Sequence, residues 1–387
     1  MKINIAILGS TGSIGGNILD IVRKDKKNLR VVLLTANKNY KKLIQQAKEF
    51  KVKNILIYNE KYYELLKIKL KDSKINIFSR KTKLSNILKK KIDYTICGIS
   101  GLDGLKPTLE VIKFTKTIAS ANKESIICGW HLINKKLKKY NTKFIPIDSE
   151  HYSIWNLTRE YSNNDIEEII LTASGGPLLN SPIRIQKTIT PEKTVRHPKW
   201  KMGKKISVDS ANLMNKVFEI MEASKMFNFD LEKYKIFIHP QSYAHTIIKF
   251  KNGLIKMLLH DTDMKIPIFN SIYDKKIKCI TSKKINSKTL NNLNFYEVDK
   301  LKFPSVKLLK KISKKNTLYD TVIIVANEEL VKLFLLNKIS LRQIVESLTK
   351  IINSKECKKY FTKKPTSVSK ILEVGELVRL KTNSISV

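Results

Sequence analysis

Apolar residues over the first 150 positions recur in short, β-branched runs at Ile3 to Leu8, Val31 to Leu34, Ile55 to Tyr58, Tyr94 to Cys97 and Thr117 to Ala119. Lysine-rich amphipathic stretches separate them. Runs of this length bounded by turn residues predict buried strands, and their alternation with helical patterns predicts a Rossmann-like, doubly wound parallel α/β sheet over 1–150. The rhythm then changes. Ile169 to Leu171 leads into a glycine pair, and the runs Thr246 to Phe250 and Leu254 to Leu259 flank Lys251-Asn252-Gly253. Asn-Gly tolerates the positive φ of a tight hairpin, so 151–280 reads as a mixed α+β domain with antiparallel strands. Residues 281–305 are polar and irregular and read as a linker. Thr317-Leu318-Tyr319-Asp320 and Ser340-Leu341-Arg342-Gln343 each precede an apolar stretch of helical period. Both predict capping boxes, which makes 306–387 a helical domain.

A chain of 387 residues exceeds what a single core usually supports, roughly 250 to 300 residues, in agreement with several domains. No apolar run approaches the ~18 residues that a spanning helix needs, so no membrane association is expected. Met1-Lys2 leads straight into the first apolar run, without the pattern of a signal or transit peptide, and a cytoplasmic protein is expected. Cys97, Cys128, Cys279 and Cys357 are widely spaced, form no CxxC pair and read as buried free thiols. The formal charge of +40 suggests nucleic acid at first sight, yet only eight of the 74 basic residues are arginine. Nucleic-acid surfaces draw on the arginine fork and on interleaved aromatics, so clusters such as Lys89-Lys90-Lys91 read as solvated faces and no specific nucleic-acid partner is expected. The positive field favours anionic small molecules.

Gly9-Ser10-Thr11-Gly12-Ser13-Ile14-Gly15 follows one predicted strand and opens a predicted helix, the setting in which glycines let a backbone approach a pyrophosphate at a helix N-terminus. The next strand ends in Thr35-Ala36-Asn37-Lys38-Asn39, with a cation and amides where an NAD enzyme usually carries an acid. NADP is therefore preferred over NAD. Asp148 and Glu150, two apart after the strand-like Lys143 to Ile147, read as either a solvated turn or two oxygen donors for Mg²⁺ or Mn²⁺ on one side of a strand end. On a helix, Asn215, Lys216 and Glu219 share a face, and Glu219 is a further candidate donor; Glu222 reads as an ordinary helical ion pair. Thr172-Ala173-Ser174-Gly175-Gly176-Pro177 offers amides and a hydroxyl suited to an anion, and Ser210 offers a second hydroxyl. Arg196-His197-Pro198-Lys199-Trp200-Lys201-Met202-Gly203 has the make-up of an active-site lid over about 196–206. His131, His151, His245 and His260 read as surface or core residues, while His239 stands at a strand end where it could line a site.

Taken in order, GSTGSIG at 9–15, SANKES at 120–125, PIDSEH at 146–151, SGGP at 174–177, HPKWKMGKKISVDSANLMNK at 197–216 and HPQS at 239–242 closely resemble the 1-deoxy-D-xylulose 5-phosphate reductoisomerase family. That resemblance implies an NADPH- and divalent-metal-dependent enzyme (Mg²⁺, Mn²⁺ or Co²⁺) that rearranges a sugar phosphate by retro-aldol and aldol steps and reduces the product. It also implies a homodimer. By position it implies cofactor contacts at Thr11, Gly12, Ser13, Ile14, Asn37, Lys38, Asn39, Asn122, Glu124 and Gly203, and metal ligands at Asp148, Glu150 and Glu219. Ser174, Ser210, Asn215 and Lys216 match residues that hold the substrate phosphate; Lys123, Ser149 and His197 match groups near the reacting carbons; Trp200 matches the lid tryptophan. The chain departs from the family pattern at Asn37, Ala173, Lys199, Lys201, Val217, His260 and Thr262, none of them a matched metal ligand or titrating group of the site. Two other readings remain at this point: an NADP-dependent sugar-phosphate oxidoreductase that transfers hydride without rearrangement, and a basic binding protein.

Overall fold

The computed structural model describes residues 2–200, 202–274 and 278–385; of the positions named above, Met1 and Lys201 lie outside them. The chain divides into two compact units, each discontinuous in sequence. One comprises Met1–Asn122, His131–Asp148 and Met264–Ile280, the other Lys123–Trp130, Ser149–Asp263 and Thr281–Val387.

The first unit is built on β1 (Ile3–Leu8), β2 (Leu29–Ala36), β3 (Asn54–Ile57), β4 (Asn76–Ser79), β5 (Ile92–Cys97), β6 (Thr115–Ser120) and β7 (Lys143–Pro146). These strands pair parallel in the order β4-β3-β2-β1-β5-β6-β7. Strand order reverses between β1 and β5, and ligands of open α/β sheets sit at the carboxyl ends of strands beside such a switch. The sheet is the doubly wound one that the apolar rhythm predicts. The rhythm misses β4, a four-residue edge strand of which only Ser79 is buried, because an edge in contact with water needs no continuous apolar run. The helix Lys265–Ile272 sends Ile268 and Phe269 into this unit's core, and Ser271 Oγ lies 2.6 Å from the Tyr94 hydroxyl. Residues 264–280 thus differ from the expectation of a 151–280 domain, since periodicity reveals an apolar face but not which core it joins.

The second unit holds β8 (Ile166–Ala173), β9 (Tyr234–Ile238), β10 (Ala244–Phe250), β11 (Ile255–Leu259) and β12 (Tyr296–Glu297) in the order β11-β10-β8-β9-β12. β10 and β11 form the Asn-Gly hairpin, with Gly253 at φ +87°. The stretch 281–305, expected as a linker, contains the helix Ser287–Asn291 and the edge strand β12. It is fastened by His239, whose Nε2 accepts from the amides of Tyr243 and Ala244 and whose Nδ1 therefore donates to the Asn294 carbonyl while the ring stacks on Phe295. His239 is a structural clasp with both ring nitrogens engaged. The helices Leu318–Leu335, Leu341–Asn353 and Val368–Ile385 follow, the first two beginning with the predicted capping boxes, and they cluster with the rest of this unit. Cys97, Cys128 and Cys357 are buried, whereas Cys279 is exposed, contrary to expectation.

One buried pair joins the helical segment to the helix Met214–Phe227. Lys225 Nζ donates to Asp320 Oδ2 at 2.8 Å and to the carbonyls of Ser313 and Lys315, while Asp320 also accepts from the Thr317 amide as the second half of its capping box. Burial raises the Asp320 pKa, and the Lys225 charge offsets part of that rise. Removing one member of a buried pair strands the other's charge, so Asp320→Ala is expected to cost about 3–5 kcal/mol, read as a lower urea midpoint of unfolding.

Candidate active site

The glycine turn after β1 is held by specific contacts. Gly9 and Ser10 donate their amides to Thr35 Oγ1 and Thr35 O at the end of β2. Ser10 is buried and exchanges two bonds with Gln46, its hydroxyl donating to Gln46 Oε1 at 2.8 Å and its carbonyl accepting from Gln46 Nε2 at 3.0 Å. A Cβ on Gly15 would lie 2.4 Å from the Ser10 carbonyl oxygen, so the helix Ser13–Lys24 packs on the turn only with glycine there. At Gly12 a Cβ meets nothing closer than 3.5 Å. The chain's own packing does not require that glycine, which fits a backbone kept bare for a ligand. A cleft of about 380 Å³ opens here, lined among others by Thr11, Gly12, Ser13, Asn17, Lys42 and Gln46. Ile14 is partly buried against the core. Asn37, Lys38 and Asn39 are exposed at the end of β2, and Asn39 caps the helix Tyr40–Glu49 by accepting from the Lys42 amide. Asn122 donates to the carbonyls of Ile99 and Gly101, fixing the loop after β5.

The acidic residues converge by a route other than strand alternation. β7 stops at Pro146 and a helix, Ser149–Thr158, begins three residues later, so Asp148 and Glu150 stand on either side of a strand-to-helix turn. One carboxylate oxygen each of Asp148, Glu150 and Glu219 lies within 4.8 Å of the others. Glu219 comes from the helix Met214–Phe227, one turn beyond Asn215. Lys123 Nζ donates to Asn215 Oδ1 at 2.7 Å and Glu219 Oε1 at 3.1 Å, and Lys216 Nζ to Glu150 Oε1 at 2.9 Å and to Glu219. Burial alone would lower the Lys216 pKa, but Glu150 and Glu219 outweigh it and hold the ammonium charged. Ser149 Oγ donates to Glu150 Oε2 at 2.6 Å. Three carboxylates that converge in this way are a set of hard oxygen donors, which fits a divalent cation such as Mg²⁺.

Glu222 corrects the reading of an ordinary helical ion pair. It is buried and faces His151, whose Nδ1 lies 3.3 Å from Glu222 Oε2 and whose Nε2 donates to the Glu219 carbonyl at 2.9 Å. His151, next to Glu150 in sequence, thus ties the two acid-bearing helices together. Nothing in the sequence pairs positions 151 and 222; the only signal is that both fall on helical faces adjacent to candidate ligands.

Ser174 follows β8, and Gly176, at φ +65°, packs so closely that a Cβ would lie 2.8 Å from the Ser210 carbonyl oxygen. That approach brings the Ser174 turn against the end of the helix Lys204–Ala211, which carries Ser210. Buried Leu213, in the left-handed region at φ +58°, turns this helix into Met214–Phe227, setting Asn215 and Lys216 at the start of the next. Strained backbone of this kind in a bulky residue persists where surrounding structure over-determines it. Val217, one of the departures from the family pattern, is fully buried within an unbroken helix. The His197 ring accepts at Nδ1 from the amides of Lys199 and Trp200, so its remaining proton sits on Nε2 and donates to Ser174 Oγ at 3.0 Å. The Ser174 hydroxyl also accepts from the Gly176 amide, which leaves its own proton to offer to an anion. Trp200 lies edge-on to His245, which stacks on His260 at 3.8 Å. The irregular stretch is shorter than the expected 196–206, because Lys204 already begins a helix with Gly203 as its N-cap. Lys205 of that helix bonds Glu124, adjacent to Lys123, and Asp209, adjacent to Ser210. Sequence reasoning missed Lys205 entirely.

Family models described as 1-deoxy-D-xylulose 5-phosphate reductoisomerase and as two C-terminal domains of that enzyme match residues 5–129, 144–227 and 259–381. The chain is 51% identical over 385 residues to the 1-deoxy-D-xylulose 5-phosphate reductoisomerase of Pelagibacter ubique strain HTCC1062, covering 99% of each, and 36% identical to that of Aquifex aeolicus, covering 98% of this chain and 97% of the relative. Among solved structures, the Zymomonas mobilis enzyme in complex with NADPH matches at 30% identity and a TM-score of 0.88, over 100% of this chain and 99% of that one. A DOX-P reductoisomerase in complex with NADPH, fosmidomycin and magnesium matches at 30% identity and a TM-score of 0.91, over 99% and 98%.

Burial pushes the His197 pKa from 6.5 down to about 4, and burial with its His260 neighbour pushes His245 down to about 3. The unfolded chain then binds more protons than the native one as pH falls below 6.5, so the stability these rings permit is present above that value and lost on acidification toward 4. Thermal midpoints measured from pH 7 to 4 are expected to fall, and His197→Gln to flatten the decline.

Proposed function

The chain belongs to the 1-deoxy-D-xylulose 5-phosphate reductoisomerase family, and from that premise we propose that it converts 1-deoxy-D-xylulose 5-phosphate to 2-C-methyl-D-erythritol 4-phosphate with NADPH and a divalent metal. The observation that carries this reading is the meeting of Asp148, Glu150 and Glu219 with Lys123 and Lys216. Asp148, Glu150 and Glu219 hold the metal; bound there, Mg²⁺, Mn²⁺ or Co²⁺ supplies Lewis-acid stabilisation of the oxyanions formed when a carbon–carbon bond is cleaved and remade. Ser174, Ser210, Asn215 and Lys216 bind the phosphate, through hydroxyl and amide protons and one fixed positive charge. His197, neutral near pH 7, keeps the Ser174 hydroxyl turned outward and contributes no competing charge. Lys123, fixed by Asn215 and Glu219, presents an ammonium to the reacting oxygens beside Ser149. Trp200, on the loop ahead of Gly203, covers the substrate as a lid and excludes water.

Thr11, Gly12, Ser13 and Ile14 receive the NADPH pyrophosphate at the N-terminus of the helix Ser13–Lys24, and Asn37, Lys38 and Asn39 receive the 2′-phosphate. Asn122 and Gly203 complete the cofactor set. Glu124, assigned by resemblance to the cofactor, has its carboxylate engaged by Lys205. The active species is a homodimer, a reading supported by β11, which ends its sheet and exposes Leu254 and Ile255 beside a strand edge able to pair. A reducing, cytoplasmic location suits four free cysteines, and no described helix is long and apolar enough to cross a membrane.

Purified protein incubated with 1-deoxy-D-xylulose 5-phosphate, NADPH and Mn²⁺ should consume NADPH, followed by absorbance, and complete chelation should stop it. Turnover that survives chelation would favour simple hydride transfer without rearrangement. Glu219→Gln is expected to lower kcat by at least about 1,000-fold while leaving the NADPH dissociation constant within about twofold, since it removes the charge of a metal ligand that also holds Lys123 and Lys216 and leaves the glycine turn untouched. Light scattering is expected to give about twice the 44.6 kDa chain mass.

A further inference from the structure

Lys205 stands in the first turn of its helix, where the helix dipole disfavours a cation. Two carboxylates compensate. Its Nζ donates to Glu124 Oε1 at 2.8 Å and to Asp209 Oδ2 at 2.9 Å, and it lies 5.2 Å from the centre of the Phe218 ring. The other Asp209 oxygen accepts from Asn327 Nδ2 at 2.8 Å, and Asn327 is fully buried in the helix Leu318–Leu335. Glu124 and Asp209 are 8% and 1% exposed. Burial raises the Glu124 pKa, but the Lys205 charge and hydrogen bond outweigh it and hold the acid ionised. The same carboxylates keep the half-buried Lys205 protonated.

What the network fixes is set by its neighbours in sequence. Glu124 directly follows Lys123, whose ammonium reaches Asn215 and Glu219; Asp209 directly precedes Ser210. We propose that Lys205 is a positioning residue for the reaction: by clamping Glu124 and Asp209 on one ammonium it sets the spacing between Lys123, at the reacting carbons, and Ser210, at the substrate phosphate. The inference rests on the function proposed above and assigns Glu124 to this clamp rather than to the cofactor. An apolar filling would satisfy stability equally well, but a shared cation with directional bonds to both acids permits one arrangement of the two helix starts. The clamp touches neither substrate nor metal; it acts through the two residues beside it.

The test is steady-state kinetics with NADPH binding and thermal unfolding on each variant of the full chain. Lys205→Met is expected to lower kcat/KM about 100-fold with NADPH affinity within about twofold, and Lys205→Arg, which keeps a donor for both acids, to recover at least about tenfold of that loss. The isosteric variants separate the two arms. Glu124→Gln is expected to lower kcat about tenfold with KM within about threefold, whereas Asp209→Asn raises KM about tenfold with kcat within about threefold. Folded Lys205→Met with both constants within about threefold of the parent overturns the proposal. So does a tenfold loss of NADPH affinity in Glu124→Gln with kcat unchanged, which would make Glu124 a cofactor contact. If Lys205→Met does not fold, the isosteric pair decides: equal losses in kcat and KM in both variants mark a merely structural network and refute positioning. A parent chain that fails to turn over 1-deoxy-D-xylulose 5-phosphate refutes the functional reading itself and this inference with it, whereas an active parent with indifferent variants refutes this inference alone.

Discussion

Charges removed from water must find partners, and the second unit is organised around that requirement. Lys216 is buried between Glu150 and Glu219, and Lys123 is buried between Asn215 and Glu219. Each of these groups alone would cost several kcal/mol to bury, so none is tolerable unless the starts of the helices Lys123–Tyr140, Ser149–Thr158 and Met214–Phe227 meet. The requirement runs in both directions: packing brings the charges together, and the charges exclude packings in which they are apart. The same carboxylates that neutralise these ammoniums are hard oxygen donors for a divalent metal, which links stability of this region to its chemistry.

The surroundings enforce that meeting with a few backbone devices. Close approach at Gly176 sets the Ser174 turn on the Ser210 helix, and the left-handed turn at Leu213 folds that helix into the one bearing Lys216 and Glu219. His151 bonds the Glu219 carbonyl from the position after Glu150, and Lys205 ties the positions next to Lys123 and Ser210. In the first unit, the Ser10–Gln46 exchange and the bare approach at Gly15 give the glycine turn one geometry, at the β1/β5 switch where the sheet leaves room at its carboxyl edge. Against these local constraints the +40 formal charge is a diffuse background, spread over exposed lysines and suited to attracting phosphorylated ligands rather than to recognising any one.

Much of this was legible in the amino-acid order. Strand-helix alternation gives the parallel sheet because a strand buried on both faces must be continuously apolar; the Asn-Gly hairpin and both capping boxes are local, written in adjacent residues. The Asn215, Lys216 and Glu219 face follows from helical period alone, and the motif order carries the family. Less was visible at edges and joints. β4 and β12 are too short or too wet to mark themselves, and the Lys265–Ile272 helix shows an apolar face without saying which core it fills. Asp148 and Glu150 converge across a strand-to-helix turn, where side-chain alternation does not apply.

What only tertiary structure decided is the partner of each buried polar group. Glu222 meeting His151, His239 clasping Asn294, Lys225 closing on Asp320 and Lys205 holding Glu124 are pairings between residues from 55 to 95 positions apart. Sequence determines which side chains carry charge and which face of a helix they share, because those are local properties of the chain. It does not mark which distant charge will neutralise them, because that depends on how whole elements pack and on the cost of leaving any one of them unpaired.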